Sequence, residues 1–568
     1  MLISENGRSK CQIVIANKAG RQVRYAASQL QQFLFEIGSC RIPVIEATAE
    51  DENRVWENSI ILFEDQNLGP EEFCLQTKDN NQLFISGGLP RGVVYGVFTL
   101  LEDYLGCKWF SSRVSRIPKR EIIELPAISE RQKPAFEYRE PYMRDAFDPA
   151  WCLRNRMNSN KSFIPSDYGG HMRWYNFHHS FYQLINEKDY FDEHPEYFSM
   201  VNGKRVRERS QFCLTNPDVV RICTEKVLER IRENPECTVF SVGQNDWGNY
   251  CQCDNCKAID EAEGSQSGTV INFVNQIAEE VEKRYPDKLI HTFAYRYTRK
   301  APRSVRPRRN VIVRLCTIEC CFSHPLEECG EHNGDNLFLR DLKEWSAITD
   351  RLYIWDYVTN FSHYLLPFPN LNVLEANIKL FHRYGVKGVL EQGNFSFGGG
   401  GEMNELRAYV LAKLLWNPDY GARRAIDEFL DGYFGGAAQP IGEWLKLVHD
   451  AAAPYHARIY DGPDAPYYSD ELIRKGFELF DRAINLVSNE EERARVEIAR
   501  LPVRYLAICR MSPDDPARSV LIDKFADDVR AAGITELWER KRLEPTIEYL
   551  KNNWLDRKRE IPRWSYYM

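Results

Sequence analysis

Eight short apolar segments lie between about residues 136 and 394 of this 568-residue chain, and stretches with helical periodicity separate most of them. The segments end in polar or acidic residues. Strands alternating with helices over such a length predict an α/β fold with a parallel (β/α)8 barrel of the TIM type. The predicted strands are Phe136–Glu140, Met157–Phe163, Gln211–Leu214, Thr238–Val242, Leu289–Tyr295, Val311–Ile318, Leu352–Trp355 and Gly388–Glu391.

The regions on either side of the barrel predict two further domains, as expected for a chain of this length. Residues 1–125 alternate strand and helix patterns, including an amphipathic helix over Arg21–Ile37, and predict a small α/β accessory domain. The barrel is predicted over residues 135–420. The charged, helical pattern that follows predicts a helical C-terminal domain over residues 421–568.

Composition excludes two classes of partner. The net charge of −8 is spread along the chain and leaves no basic face for nucleic acid. No run of eighteen apolar residues is present, which argues against a membrane span. The N-terminal sequence lacks an apolar leader, so we expect a cytoplasmic protein, or an exported one whose leader has been removed. Neither composition nor pattern specifies an oligomeric state.

Three of the apolar segments end in a carboxylate: Asp246 in FSVGQND, Asp356 in LYIWD and Glu391 in GVLE. Because the C-terminal ends of barrel strands surround the active site, we expect these three side chains to converge. A glycosidase needs one protonated carboxyl group and one carboxylate. Asp246 is the candidate acid, since burial against Trp247 would raise its pKa, and Asp356 and Glu391 are candidates for the base.

Each carboxylate also has a structural interpretation. Asp246 begins a loop, where aspartate often forms a turn or caps a helix. Asp356 and Glu391 each follow an apolar strand and are alternatively partners of Arg296 or Arg314 in ion pairs.

Aromatic and polar side chains near these strand ends are candidates for substrate contacts, because sugars bind by ring stacking and by hydroxyl hydrogen bonds. One of them lies in the connection between the second and third predicted strands, whose length is typical of a functional loop. The candidates are Asn245, Trp247, His179, Tyr295, Arg296 and Trp355.

Most of the sixteen cysteines are scattered singly, as is typical of buried, reduced thiols. Cys251, Cys253 and Cys256 are instead spaced as zinc ligands, and the fourth ligand is expected from the later group around Cys320. We therefore expect at least two of the three to lie near the segment 316–329. Structural zinc is the candidate cofactor, with reduced thiols or disulfides as alternatives, and the glycosidase chemistry itself requires no cofactor.

Longer stretches carry resemblances to known families. Ile85–Phe110 (ISGGLPRGVVYGVFTLLEDYLGCKWF) resembles the accessory domain that precedes the barrel in α-glucuronidases and β-hexosaminidases. Asn404–Asp419 (NELRAYVLAKLLWNPD) is similar to the segment that closes the α-glucuronidase barrel. The stretches that resemble the bacterial domain-of-unknown-function 4838 family are His194–Arg205, Gln211–Val220, Ser241–Cys256 and Leu315–Leu326.

These resemblances imply a glycoside-hydrolase-like barrel behind a hexosaminidase-type N-terminal domain. In α-glucuronidases a glutamate after the fourth strand is the acid, and an aspartate and a glutamate on later strands activate water. Asp246, Asp356 and Glu391 fall at the matching places. In hexosaminidases an acidic pair ends the fourth strand, where this chain has Asn245-Asp246.

The leading hypothesis is a glycoside hydrolase acting on an oligosaccharide or a glycan that contains uronic acid. One alternative is a barrel that binds carbohydrate without catalysis. A second is a substrate-assisted, N-acetylhexosaminidase-like enzyme that uses Asn245 and Asp246. A metal-dependent hydrolase ranks last, because cysteine-rich sites usually hold structural metal.

Overall fold

The computed structural model describes residues 1–51, 54–79, 81–329 and 336–552. Its N-terminal part contains a six-stranded sheet in the order β11-β6-β7-β5-β3-β4. Helix α1 buries Val23, Leu30 and Phe33 on one face, as the sequence predicts. The elements are strands β1–β11 at Leu2–Glu5, Arg8–Ser9, Gln12–Ala16, Val44–Ala47, Ser59–Glu64, Phe73–Lys78, Gln82–Gly87, Lys108–Trp109, Ser115–Arg116, Ile122–Glu124 and Ser129–Gln132, and helices α1 and α2 at Arg21–Gly38 and Gly92–Thr99.

The central part is a curled, seven-stranded parallel sheet in the order β12-β20-β19-β18-β17-β16-β13. A separate short hairpin, β14 and β15, lies in the connection before β16. The strands β12–β20 are Tyr138–Tyr142, Trp174–Tyr175, Met200–Val201, Lys204–Arg205, Val239–Ser241, Leu289–Ala294, Val311–Cys316, Leu352–Tyr357 and Gly388–Gln392. The helices α3–α11 are Pro149–Arg154, Phe181–Leu184, Glu187–Tyr190, Pro217–Glu233, Asp254–Glu263, Ser267–Arg284, Leu337–Ser346, Leu374–Arg383 and Asn404–Trp416.

The predicted barrel is confirmed as a curled parallel sheet surrounded by helices, but two of its eight predicted strands are wrong. Met157–Phe163 forms no strand and contains a short 3-10 helix. Gln211–Leu214 makes only an isolated bridge, between Phe212 and Phe198. The strand found instead is β13, a two-residue strand that is too short to give a periodic signal.

Asparagine side chains join the two edges of the curled sheet where the missing strand was predicted. Asn158 Oδ1 accepts a hydrogen bond from Arg139 N of β12 at 3.0 Å, and Asn160 Oδ1 accepts one from Trp174 N of β13 at 2.9 Å. Asparagine competes with regular backbone pairing in this way. The segment therefore spans the gap as an irregular chain and leaves the sheet curled.

Alternate residues of each strand face the interior of the curled sheet. Tyr138, Trp174 and Tyr353 pack there, with ring centroids 5.1 to 6.0 Å apart. The buried guanidinium of Arg314 lies 4.2 Å from the Trp174 ring centroid, above these rings. The remaining residues of each strand face the surrounding helices, so the parity of a residue decides whether it can reach the interior.

The C-terminal part is helical, and it ends in a hairpin that returns to the barrel. Leu537 O, within the hairpin, accepts a hydrogen bond from Tyr364 N in the loop after β19. Thr535 Oγ1, just before the hairpin, accepts one from Gly398 N in the loop after β20. None of the described helices combines the length and the apolarity needed to cross a bilayer. The elements are α12–α17 at Ala422–Phe429, Ala438–Ala452, Asp470–Leu486, Glu490–Arg510, Arg518–Ala531 and Leu543–Asn552, and the hairpin strands β21 and β22 at Glu536–Trp538 and Lys541–Arg542.

The three domain boundaries stay predictions. The end of the predicted C-terminal domain, residues 553–568, lies outside the described part of the chain.

The N-terminal part is joined to the barrel by buried ion pairs. Glu71 accepts hydrogen bonds from Arg139 of β12, at 2.9 and 3.1 Å, and from Arg91 at 2.7 Å. Burial by itself would raise the pKa of Glu71, but the two guanidinium groups outweigh it and lower that pKa to about 2. Glu71 therefore links the outer face of β12 to the N-terminal sheet as an anion.

We predict that Glu71→Gln lowers the free energy of unfolding by about 3–5 kcal/mol at neutral pH, because it leaves Arg139 and Arg91 buried without a counter-charge. Glu72→Gln is the matched control, since Glu72 pairs with the largely exposed Arg131 and should cost less than about 1 kcal/mol. Urea unfolding of the two variants measures the difference.

The same comparison at acid pH tests the charge. The contribution of Glu71 is present above its ordinary pKa of 4.5 and is lost as the pH falls towards about 2. The difference in the free energy of unfolding between wild type and Glu71→Gln should become smaller over that range. A difference that is independent of pH would contradict the ionised state of Glu71.

Candidate active site

Asp246 lies at the C-terminal mouth of the curled sheet, in the loop after β16. Its Oδ1 accepts a hydrogen bond from Tyr295 Oη at 2.9 Å and lies 3.5 Å from Arg296 Nη2. His179 Nε2 is 3.7 Å from the same oxygen. The side chain of Asp246 is 49% exposed, so this group of sequence-predicted residues is open to a ligand.

The loop after β17 holds Arg296 against Asp246 in a strained conformation. Arg296 has a φ of +54°, which is unfavourable for a residue with a side chain. Its Nη1 donates to Asp246 O at 3.3 Å, and its Nε donates to Tyr295 Oη at 3.0 Å. Backbone strain of this kind is concentrated at functional sites.

His179 is positioned to accept a hydrogen bond at the mouth. Its Nδ1 contacts Gln244 O at 2.5 Å, and a carbonyl requires a donor there. Burial lowers the pKa of His179, although the charge of Asp246 acts in the opposite direction. The neutral ring thus presents Nε2 as an acceptor beside Asp246.

A second carboxylate reaches the mouth from the C-terminal hairpin. Glu539 lies in the turn between β21 and β22, and its backbone N–H donates to Phe361 O at 3.0 Å. Burial raises the pKa of Glu539; Arg540 opposes this rise, and the negative charge of Asp246 adds to it. Glu539 is therefore close enough to Asp246 for the two charges to interact.

Asn245 and Trp247, two of the predicted substrate ligands, have polar groups engaged within the protein. The Asn245 amide donates to Ser210 O at 2.9 Å and accepts from Tyr182 N at 3.3 Å. Trp247 Nε1 donates to the same Ser210 carbonyl at 2.8 Å. These contacts fix the loop on both sides of Asp246.

Trp355 forms part of the interior surface below the mouth. It is partly exposed, stacks on Phe177 at 5.5 Å between ring centroids and donates from Nε1 to Gln392 Oε1 at 2.8 Å. A fixed, partly exposed indole is suited to stacking against a sugar ring.

The structure does not bring the three carboxylates together in the interior, because Asp356 and Glu391 have the parity of the residues that face away from it. Asp356 has the parity of Ile354, which packs against the helix layer, while its neighbour Trp355 faces inward. Glu391 pairs with Asp356 in register between β19 and β20, and both are at most 3% exposed. Their side chains lie between the sheet and the helices.

Both carboxyl groups have raised pKa values, which favours the protonated form of Glu391. Burial raises the pKa of Asp356 to about 6, although hydrogen bonds from Thr317 and the backbone oppose the shift. Burial raises the pKa of Glu391 well above its ordinary value, and the charge of Asp356 raises it further. Glu391 Oε2 is buried without a hydrogen-bond partner among the described residues. This arrangement indicates a structural acid pair.

The predicted zinc ligands lie together, but with a different fourth cysteine. Cys251, Cys253 and Cys256 are grouped with Cys213, and Cys320 is not a member. Cys213 lies in the segment wrongly predicted as the third strand, which runs beside the loop after β16 and so brings its thiol to this group. The segment 316–329 contributes no member to this group.

The later cysteines form a second group with histidines from two regions of the chain. Its members are Cys321, His324, Cys329 and His456.

Sequence reasoning missed Glu539, Cys213 and His456 as members of these sites. Glu539 lies in a charged region that was interpreted as helical, although Gly533 before Glu536–Trp538 is a signal for a turn and a strand. No local pattern marks Cys213 or His456, because each meets its partners only through long-range packing.

A known protein family matches the part of the chain that contains the barrel. The model of the family described as "Domain of unknown function (DUF4838)" matches residues 109–446. The chain belongs to this family. No curated protein sequence matches the chain.

Solved structures share the fold. A family GH115 4-O-methyl-α-glucuronidase with specificity for decorated arabinogalactans aligns with a TM-score of 0.58 at 13% identity, covering 95% of this chain and 81% of its own. A family 89 glycoside hydrolase from Clostridium perfringens, in complex with 2-acetamido-1,2-dideoxynojirmycin, aligns with a TM-score of 0.51 at 11% identity, covering 90% of this chain and 65% of its own. The glycoside-hydrolase-like fold implied by the resemblances is thus confirmed.

We predict that Glu391→Gln makes the protein less sensitive to rising pH. The raised pKa of Glu391 means that its protonated form contributes stability that is fully present below its ordinary pKa of 4.5 and is lost as the pH rises towards the raised value. A glutamine still donates a hydrogen bond to Asp356 but cannot ionise. The difference in Tm between variant and wild type should therefore increase as the pH is raised from about 5 to about 8, above the ordinary pKa of Glu391.

Glu375→Gln is the control, because Glu375 pairs with Lys379 at 2.7 Å and should not change this dependence. A Tm difference for Glu391→Gln that stays constant with pH would contradict the raised pKa of Glu391.

Proposed function

We propose that this protein is a glycoside hydrolase that uses Glu539 as the proton donor and Asp246 as the carboxylate that activates water or attacks the sugar. The observation that carries the proposal is that two carboxyl groups in contrasting environments lie near enough for their charges to interact, at the mouth of a fold shared with glycosidases. Environments that separate two carboxyl groups in this way distinguish the acid from the base.

The contrast favours a proton on Glu539. This side chain is half-buried, and the charge of Asp246 disfavours a second anion beside it. Asp246, in contrast, is exposed, faces the Arg296 guanidinium and accepts a hydrogen bond from Tyr295. The assignment differs from the sequence hypothesis, in which Asp246 was the acid.

The groups around the carboxylates support a glycan substrate, with an acidic glycan preferred. Trp355 offers an aromatic surface, and His179 Nε2 offers an acceptor for a sugar hydroxyl. Arg296 and Arg540 bring two positive charges to the mouth, which suit a uronate carboxylate. The 4-O-methyl-α-glucuronidase with the same fold is consistent with this preference.

The hydrogen bonds of Asn245 argue against the substrate-assisted mechanism. In that mechanism the amide would have to orient an acetamido group of the substrate. Both ends of the Asn245 amide are already bound, to Ser210 and Tyr182, and the residue is only 4% exposed.

The test compares Glu539→Gln and Asp246→Asn on two kinds of substrate. On oligosaccharides, Glu539→Gln should lower kcat by about 10²–10⁴-fold, because the leaving group needs a proton. On 4-nitrophenyl glycosides the loss should be much smaller, since this leaving group departs without help. Asp246→Asn should reduce hydrolysis of both kinds of substrate alike. The panel should include glycosides with and without a uronic acid.

Asp356→Asn is the matched control, because that side chain lies on the other face of the sheet and should leave kcat within about threefold. A loss for Asp356→Asn equal to that of Asp246→Asn would contradict the assigned site. Binding of the glycans without any hydrolysis by the wild type would instead favour the non-catalytic, carbohydrate-binding alternative.

A further inference from the structure

Four cysteine thiols meet beside the loop that carries Asp246. The Sγ atoms of Cys213, Cys251, Cys253 and Cys256 all lie within 4.8 Å of one another, and Cys213 and Cys253 are 3.6 Å apart. None of the four is in a disulfide. Four sulfurs bound at about 2.3 Å in a tetrahedron lie about 3.8 Å from one another, so the spacing matches a zinc tetrathiolate.

Hydrogen-bond donors contact a sulfur of this group. Met200 N donates to Cys251 Sγ at 3.3 Å, and Arg205 Nη1 lies 3.7 Å from the same sulfur. Cys253 directly precedes the first residue of helix α7, where the helix dipole favours negative charge. Such donors to sulfur accompany metal-bound cysteines.

We propose that Cys213, Cys251, Cys253 and Cys256 bind a structural zinc ion that fixes the loop of the candidate active site. With four cysteine ligands the ion would have no open coordination position, so it would not take part in the reaction. The statement about the loop depends on the proposed function, whereas the statement about zinc does not.

The link to the active-site loop is direct. Gln211, two residues before Cys213, donates to Asn245 O at 3.0 Å and Trp247 O at 2.7 Å, and it accepts from Asn245 N at 2.9 Å. Cys251 ends the same loop a few residues after Asp246. A metal ion bound to both Cys213 and Cys251 would close the chain around Asp246 from both sides.

The group of two cysteines and two histidines independently indicates a second metal site. Cys321 Sγ lies 3.2 Å from His324 Nδ1, and Cys329 Sγ lies 3.4 Å from His456 Nδ1. His324 Nε2 contacts Ala453 O at 2.8 Å, so Nε2 carries the proton and Nδ1 is left to bind a metal.

We propose that these two cysteines and two histidines bind a second zinc ion. It would join the loop after β18 to the segment that follows α13. The two sites have different ligands and lie in different loops, so either can fail without the other.

Metal analysis of the purified full-length protein, prepared without chelator, tests both sites. We expect about two equivalents of zinc, with one lost in Cys213→Ser or Cys253→Ser and the other lost in Cys329→Ser or His456→Ala. Cys74→Ser is the matched control, since Cys74 is a partly buried thiol outside both groups, and it should keep both ions. Zinc content that is unchanged in the variants of a site would overturn that site.

Cobalt exchange into the wild type avoids relying on variants that fold. A tetrathiolate site should give strong sulfur-to-cobalt charge-transfer bands and the visible bands of tetrahedral cobalt. Less than about half an equivalent of either metal in folded wild type would overturn both sites.

Hydrogen exchange separates the effect on the loop from the effect on activity. In protein stripped of metal, amides of residues 244–250 should exchange faster, while those of strand β3 should not change. Unchanged exchange of residues 244–250 would overturn the role of the metal in fixing the loop. Faster exchange in a protein that hydrolyses no glycan would leave the zinc site standing and overturn only the proposed function.

Discussion

Two buried carboxylates, Glu71 and Glu102, hold the N-terminal part of the chain against the barrel. Glu71 binds Arg139 on the outer face of the first barrel strand, and Glu102 binds Arg156 and Lys413. All five side chains are at most 5% exposed. Because a buried charge without its partner is costly, the N-terminal part and the barrel must fold into one arrangement that satisfies both carboxylates together.

That arrangement explains why one barrel strand is replaced by an irregular chain. Arg156 and Asn158 turn towards Glu102 and Glu71, respectively, and so cannot also lie in a regular strand. Arg156 has a φ of +61°, which a strand excludes. The asparagine side chains then supply the hydrogen bonds that a strand would have supplied. The curled sheet keeps its mouth, where the loops that carry the candidate site meet.

The candidate site is assembled from distant parts of the chain. Asp246 comes from the loop after β16, while Glu539 comes from a hairpin almost three hundred residues later. The hairpin reaches the mouth because it binds the loops after β19 and β20. Asp356 and Glu391 end the correct strands but face the helices. Position at a strand end was therefore not sufficient to place a carboxylate in the site.

The sequence by itself determined the order of strands and helices, six of the barrel strands, the family, the place of Asp246 and the grouping of three cysteines. The strands follow from periodicity within short segments, Asp246 and the cysteines from local spacing, and the family from the stretches that resemble it. Only the tertiary structure decided that Asp356 and Glu391 face outward and that Glu539 and Cys213 join the sites. A strand has a side-chain period of two, so a difference of one residue changes the face. Contacts across hundreds of residues, moreover, depend on packing that no local pattern encodes.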